Sequence, residues 1–229
     1  MSVFCKPFTL GRLCSGALDL QDVIQALNDI TRLHSDALNL GTSYHLAYDL
    51  AWVVTRYHVR VLTPLRAGTY RVCTEPYSFK RMMGYRLYEF YEGDTKVLEG
   101  SVQYMLINIK TKAAVHPTAE MIERFDARHA DNRTLTFSKF KNTLEIPSNT
   151  AQYHIQAKDI DANGHVNNAA YFRYLQAGFN LKQPSEVSVT YKEEVFLNDL
   201  IEVKLYRKDN HTLAIIEKEG RVVFECVQT

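Results

Sequence analysis

The sequence of 229 residues has no Cys-x-x-Cys pair, no Gly-x-Ser-x-Gly elbow and no apolar run long enough to span a bilayer. Each absence removes a class of function. Cysteines at only four scattered positions, Cys5, Cys14, Cys73 and Cys226, argue against a zinc site and a disulfide framework, so reduced thiols are expected. With 27 basic and 26 acidic residues the net charge is +1, which gives no field favouring nucleic acid or an anionic membrane. A charged partner must therefore be met by a local patch. The opening stretch MSVFCKPFTLGR shows neither a secretory core nor an Arg/Ser-rich leader. The expectation is a soluble, cytoplasmic protein with no nucleic-acid or membrane partner.

What is present is an order of elements that occurs twice. From Leu18 to Leu38 the apolar residues Leu20, Val23, Ile24, Leu27, Ile30 and Leu38 fall at three- and four-residue steps, which predicts an amphipathic helix ending before Gly41. AWVVTRYHVRV, GTYRVCTEPYSF and YRLYEFYEGDTKVLEGSVQYMLINI follow, rich in β-branched and aromatic residues and broken by turn signals. The second half repeats this: a short strand at AQYHIQA, a helix through AAYFRYLQAGF, then VSVTYKEEVF, LIEVKLYRK and TLAIIEKEGRVVFECV. The polar, aperiodic stretch 126–149 reads as a linker between units at 1–130 and 145–229. An α+β fold is expected, with each sheet wrapped around one long helix and the two sheets paired edge to edge.

Polar residues break the symmetry. The segment DIDANGHVNNAAYFRYLQ places Asp161, Asn163 and His165 on alternate positions of what reads as an extended approach to the second helix. Amides from about Val166 to Asn168 are then expected beside them, as donors to a developing oxyanion. Glu194, in TYKEEV, is expected on the next strand. Matching the halves sets Leu13, Ser15, Ala17 and Thr63 against Asp161, Asn163, His165 and Glu194, so only the second half carries groups fit for acid–base chemistry. Each group also has an ordinary reading: turn and cap formation for Asp161, Asn163, Asn167 and Asn168, a structural histidine for His165, a solvated strand face for Glu194.

Taken together, DIDANGHVNNAAYF, the later YKEEV and the early WVVTR resemble the motifs of the acyl-acyl-carrier-protein thioesterases: Asp-x-Asn-x-His-Val-Asn-Asn, Tyr-Arg-x-Glu and Trp-x-Val-x-Arg. The resemblance spans nearly the whole chain. It implies a tandem hot-dog fold, hydrolysis of fatty acyl-carrier-protein thioesters without a cofactor or metal, and catalytic positions at Asp161, Asn163, His165 and Glu194. Val195 stands where many plant members carry a cysteine. Trp52, Val54, Met82, Met83 and Tyr85 are candidates for the acyl pocket, and Arg56, Arg60, Lys80, Arg81, Arg86, Lys139, Lys141 and Arg173 for docking an acidic carrier protein. A homodimer is compatible with this reading. An acyl-CoA thioesterase and a non-catalytic acyl-binding protein of the same fold remain the alternatives.

Overall fold

A computed structural model of the chain describes residues 3–11, 13–14, 17–127, 146–161, 163–179 and 184–229. In the first half, strands β1 (Phe4–Leu10), β2 (Leu13–Cys14) and β3 (Ala17–Leu18) precede helices α1 (Leu20–Ala37) and α2 (Thr42–Ala47). Strands β4 (Leu50–Val61), β5 (Gly68–Lys80), β6 (Met83–Glu92) and β7 (Thr95–Asn108) and helix α3 (Ala119–Phe125) follow. The second half contains β8 (Asn149–His154), a 3-10 turn at Ala157–Asp159, α4 (Ala170–Phe179), β9 (Glu186–Tyr191), β10 (Leu200–Lys208), β11 (His211–Lys218) and β12 (Arg221–Gln228). Among these residues no helix is long and apolar enough to cross a membrane.

Local chemistry explains α1. Asp19 caps it by accepting the Gln21 N–H at 2.9 Å, satisfying an amide that the first helical turn leaves open. Leu20, Val23, Ile24, Leu27 and Ile30 are all buried, each contributing roughly 2 kcal/mol of transfer free energy. Leu38 is the C-cap residue instead of a member of that stripe, and His34 takes the last buried position.

The ten main strands form one sheet in the order β1-β5-β6-β7-β4-β9-β12-β11-β10-β8. Outward from its centre the same unit occurs twice: the strand after the helix, the last, middle and first strands of a meander, then the strand before the helix. The units join where β4 and β9 run antiparallel, with Tyr57 opposite Val189 and Val59 opposite Val187. No edge is left open at that junction. α1 and α4 pack against one another, and one hydrophobic core runs through residues of both halves, from Leu27 and Tyr57 to Phe172 and Phe224.

Two expectations change. The N-terminal stretch is a strand: β1 pairs with β5 and sets Cys5 directly opposite Cys73, to which it is disulfide-bonded at a Cα–Cα distance of 4.1 Å. The expectation of four reduced cysteines therefore fails for this pair, because antiparallel register brings together residues far apart in the chain. Cys226 is a free, buried thiol. Most of the linker read at 126–149 lies outside the described residues, although Asn149 already belongs to β8.

Candidate active site

The polar segment turns back on itself and does not run extended into the helix. Asp161 N donates to the His165 carbonyl at 2.8 Å and Gly164 N to the Asp161 carbonyl at 3.1 Å, closing a tight turn. Gly164, at φ +82, supplies the left-handed backbone that this turn requires. The Asp161 carboxylate completes it, with Oδ1 accepting Asn163 N at 2.8 Å and His165 N at 3.4 Å. Asp161 thus shapes the loop. Asn163 is exposed, and its side-chain amide lies 3.5 Å from Asp161 Oδ2.

Backbone pairing brings Glu194 to this turn. Val166 N donates to the Val195 carbonyl at 2.9 Å, and His165 forms an isolated β-bridge with Phe196. Glu194 therefore sits beyond the end of β9, in the segment that follows it, with Oε1 3.5 Å from His165 Nδ1. The Phe196 ring meets the His165 ring edge-on at 5.2 Å and fixes its plane. Side-chain exposures of 26% for His165 and 39% for Glu194 leave both open to water and to a substrate.

Two neighbours were not legible from motif spacing. Lys112, from the first half, places Nζ 3.8 Å from Glu194 Oε1. Tyr171 is buried on α4 and stacked on Phe224; burial, then the charges of Asp199 and Glu194, push its phenol well up, so it remains protonated. The aromatic run after the motif was the available signal for Tyr171. For Lys112 there was none, because only the folded sheet brings the halves together.

The expected amide donors are largely engaged. Val166 N is bonded to Val195, and Asn167 N donates to the Asp159 carbonyl at 2.8 Å. Asn167 closes the turn that leads into α4, its Oδ1 accepting Ala169 N at 2.9 Å. Behind the loop, the buried Asp159 carboxylate is held by Arg173 and by the Tyr174 hydroxyl. Arg173 is thereby engaged in the scaffold. The basic residues named for docking also disperse: Arg60 pairs with Glu99, Arg86 is buried, and Lys139 and Lys141 lie outside the described residues.

Hydrogen bonding refines the comparison of halves. Leu62 N and Thr63 N both donate to Val97 O, as Lys192 N and Glu193 N do to Val223 O. That sets Thr63 opposite Glu193 and Pro64 opposite Glu194. Proline offers no acid or base, so the asymmetry stands after a one-residue correction. Ser15 and Gly16 lie outside the described residues.

A cavity of about 50 Å³ lies between α1 and the first-half sheet, lined in part by Thr31, Trp52, Phe79, Gly84, Arg86 and Tyr104. Of the acyl-pocket candidates, Trp52 and Tyr85 contribute to its wall and Val54 is buried in the adjoining core. Met82 sits in the β5–β6 turn, and Met83 takes the face of β6 opposite Gly84. A larger concavity of about 320 Å³, bordered by His58, Cys73, Glu89 and Lys96, includes neither His165 nor Glu194, and its His58 pairs instead with Glu186 across the β4–β9 junction at 2.8 Å.

Comparison with known proteins now bears on this geometry. Residues 14–125 match the acyl-ACP thioesterase N-terminal domain and residues 144–224 the acyl-ACP thioesterase C-terminal domain. No curated protein sequence matches significantly. The structure is similar to an acyl-ACP thioesterase from Bacteroides thetaiotaomicron, with 18% identity and a TM-score of 0.85 over 99% of this chain and 96% of that one. It is equally similar to the 12:0-ACP thioesterase from Umbellularia californica, at 17% identity and a TM-score of 0.84 over the same shares. These likenesses establish the double hot-dog fold. Both domain models match in their family order across most of the sequence, and the chain belongs to the acyl-ACP thioesterase family, a family of thioester hydrolases.

Proposed function

We propose that Glu194 and His165 activate water to hydrolyse the thioester of fatty acyl-carrier protein, releasing free fatty acid and ending chain synthesis. The observation that carries the roles is the 3.5 Å approach of His165 Nδ1 to Glu194 Oε1 at a half-exposed loop in the second half. Glu194 accepts a proton from water as its oxygen attacks the acyl carbon. His165, whose Nδ1 faces Glu194 Oε1, orients Glu194 and the water. The exposed Asn163 amide donates to the carbonyl oxygen as negative charge gathers there. Asp161 holds this turn through the Asn163 and His165 amides. The C–S bond then breaks as protonated Glu194 returns its proton to the departing sulfur, and a thiol with an ordinary pKa of about 8.5 leaves without a metal.

The division of labour follows the asymmetry between halves. Residues 145–229 supply the reacting groups, and residues 1–130 hold the acyl chain against Trp52 and Val54. Lys112 crosses between them and tempers the charge of Glu194. Hydrolysis of one acyl group presented on carrier protein and on CoA tests the substrate. Carrier-protein thioester should have the higher kcat/KM; equal or faster turnover of the CoA thioester would reassign the donor.

A further inference from the structure

Arg86 is 5% exposed, yet no carboxylate among the described residues pairs with it. Its Nη1 donates to His34 Nδ1 at 2.9 Å and to Thr74 Oγ1 at 3.3 Å, and the Phe125 ring lies 5.6 Å from its guanidinium carbon. All of these partners are neutral: His34 is buried and its acceptor nitrogen faces the arginine. Burying an ion without a counter-charge is unfavourable, and a guanidinium cannot shed its charge as a lysine can.

The same cavity also holds a donor in want of an acceptor. Trp52 lines it, and the buried Trp52 Nε1 has no hydrogen-bond partner among the described residues. Around them Thr31, Tyr88 and Tyr104 join their hydroxyls, with Tyr88 and Tyr104 at 3.0 Å. This is a polar end for a pocket that must hold a chain. A methyl terminus would leave the guanidinium without a counter-charge and the indole N–H unanswered; a carboxylate would supply both a charge for the one and an acceptor for the other.

We infer that the cavity receives an acyl chain bearing an oxygen acceptor remote from the thioester, with a terminal carboxylate the best match to Arg86. The inference rests on reading this cavity as the distal end of the acyl site. It assigns Arg86 to substrate selection and removes it from the carrier-docking residues.

Trp52 is the chain's single tryptophan, so its fluorescence reports occupancy without any reaction. The probes are simple amides of saturated monocarboxylic acids and the mono-amides of dicarboxylic acids of matched length, titrated as a ladder. At least one dicarboxylic mono-amide should bind about tenfold tighter than its hydrocarbon partner, or roughly 1.4 kcal/mol, and Arg86→Met should erase that preference. Equal or tighter binding of the hydrocarbon probe at every length overturns the inference, as does an unchanged preference in folded Arg86→Met. If that variant does not fold, the wild-type ratio decides alone. No fluorescence response to any probe also refutes the inference. Turnover of acyl-carrier protein, measured separately, shows whether the hydrolase reading fails with it.

Discussion

On the proposed division of labour, Gly84 sets how much chain the first half can hold. It lies buried on β6, in a backbone conformation open to any L residue, and lines the cavity. A Cβ added there would stand 3.1 Å from Phe79 Cε1 and 3.2 Å from Trp52 Cη2 and Cζ3, so the two rings must give by a few tenths of an ångström. Gly84→Ala thus denies space for about one methylene in a cavity of about 50 Å³. One methylene kept from burial forfeits roughly 0.8 kcal/mol, or about fourfold in kcat/KM. The loss should fall on the longest accepted acyl group and vanish for the shortest, because the reacting carbon lies at the other half's loop. Rates on acyl-carrier proteins of graded chain length measure this, with thermal unfolding as the check on folding. Met83→Trp, on the opposite face of the same strand, should move chain preference far less. An equal loss on every chain length for Gly84→Ala, or a larger shift for Met83→Trp, would refute the placement of the chain.

Further outcomes follow from the buried titratable groups. Burial, then the neighbouring Arg86, lower the His34 pKa to about 4. Its ordinary value is about 6.5, so the unfolded chain binds the proton that the folded chain refuses, and stability present above that value drains as pH falls toward about 4. Between about pH 7.5 and about pH 5 this amounts to roughly 2 kcal/mol, and denaturant titrations of wild type and His34→Gln should differ in that slope; parallel profiles would contradict it. Burial pushes the Cys226 thiol up to about 12, so it supplies no thiolate near neutrality. Replacing all four cysteines by serine should therefore preserve kcat while lowering the melting temperature, since the Cys5–Cys73 link contributes roughly 2–4 kcal/mol. Loss of turnover in the folded variant would implicate a thiol.

The parts of this protein that depend on local pattern were readable before the fold. The α1 stripe, the strand runs and their repetition follow from three- and four-residue or alternating periodicity, and the Asp161–His165 cluster from density of polar groups before an aromatic helix. Features set by register were not readable. Cys5 meets Cys73 only because β1 adds antiparallel to β5, and Lys112 meets Glu194 only because the two half-sheets join. The Asp161 turn was mistaken for an extended approach because alternation describes both, and the left-handed Gly164 decides between them. MMGYRLYEF misled for another reason. Its apolar-looking set, Met83, Tyr85 and Leu87, is less buried than Gly84, Arg86 and Tyr88, so the face bearing a cation is the one turned to the core.

Glu194, with His165 and Asn163, is proposed to perform the hydrolysis. Single-turnover hydrolysis of acyl-carrier protein by folded Glu194→Gln, His165→Ala and Asn163→Ala measures it most directly. Losses beyond about tenfold, or roughly 1.4 kcal/mol of barrier, are expected, greatest for Glu194→Gln, with substrate affinity little changed. Losses below about tenfold for all three variants would contradict it.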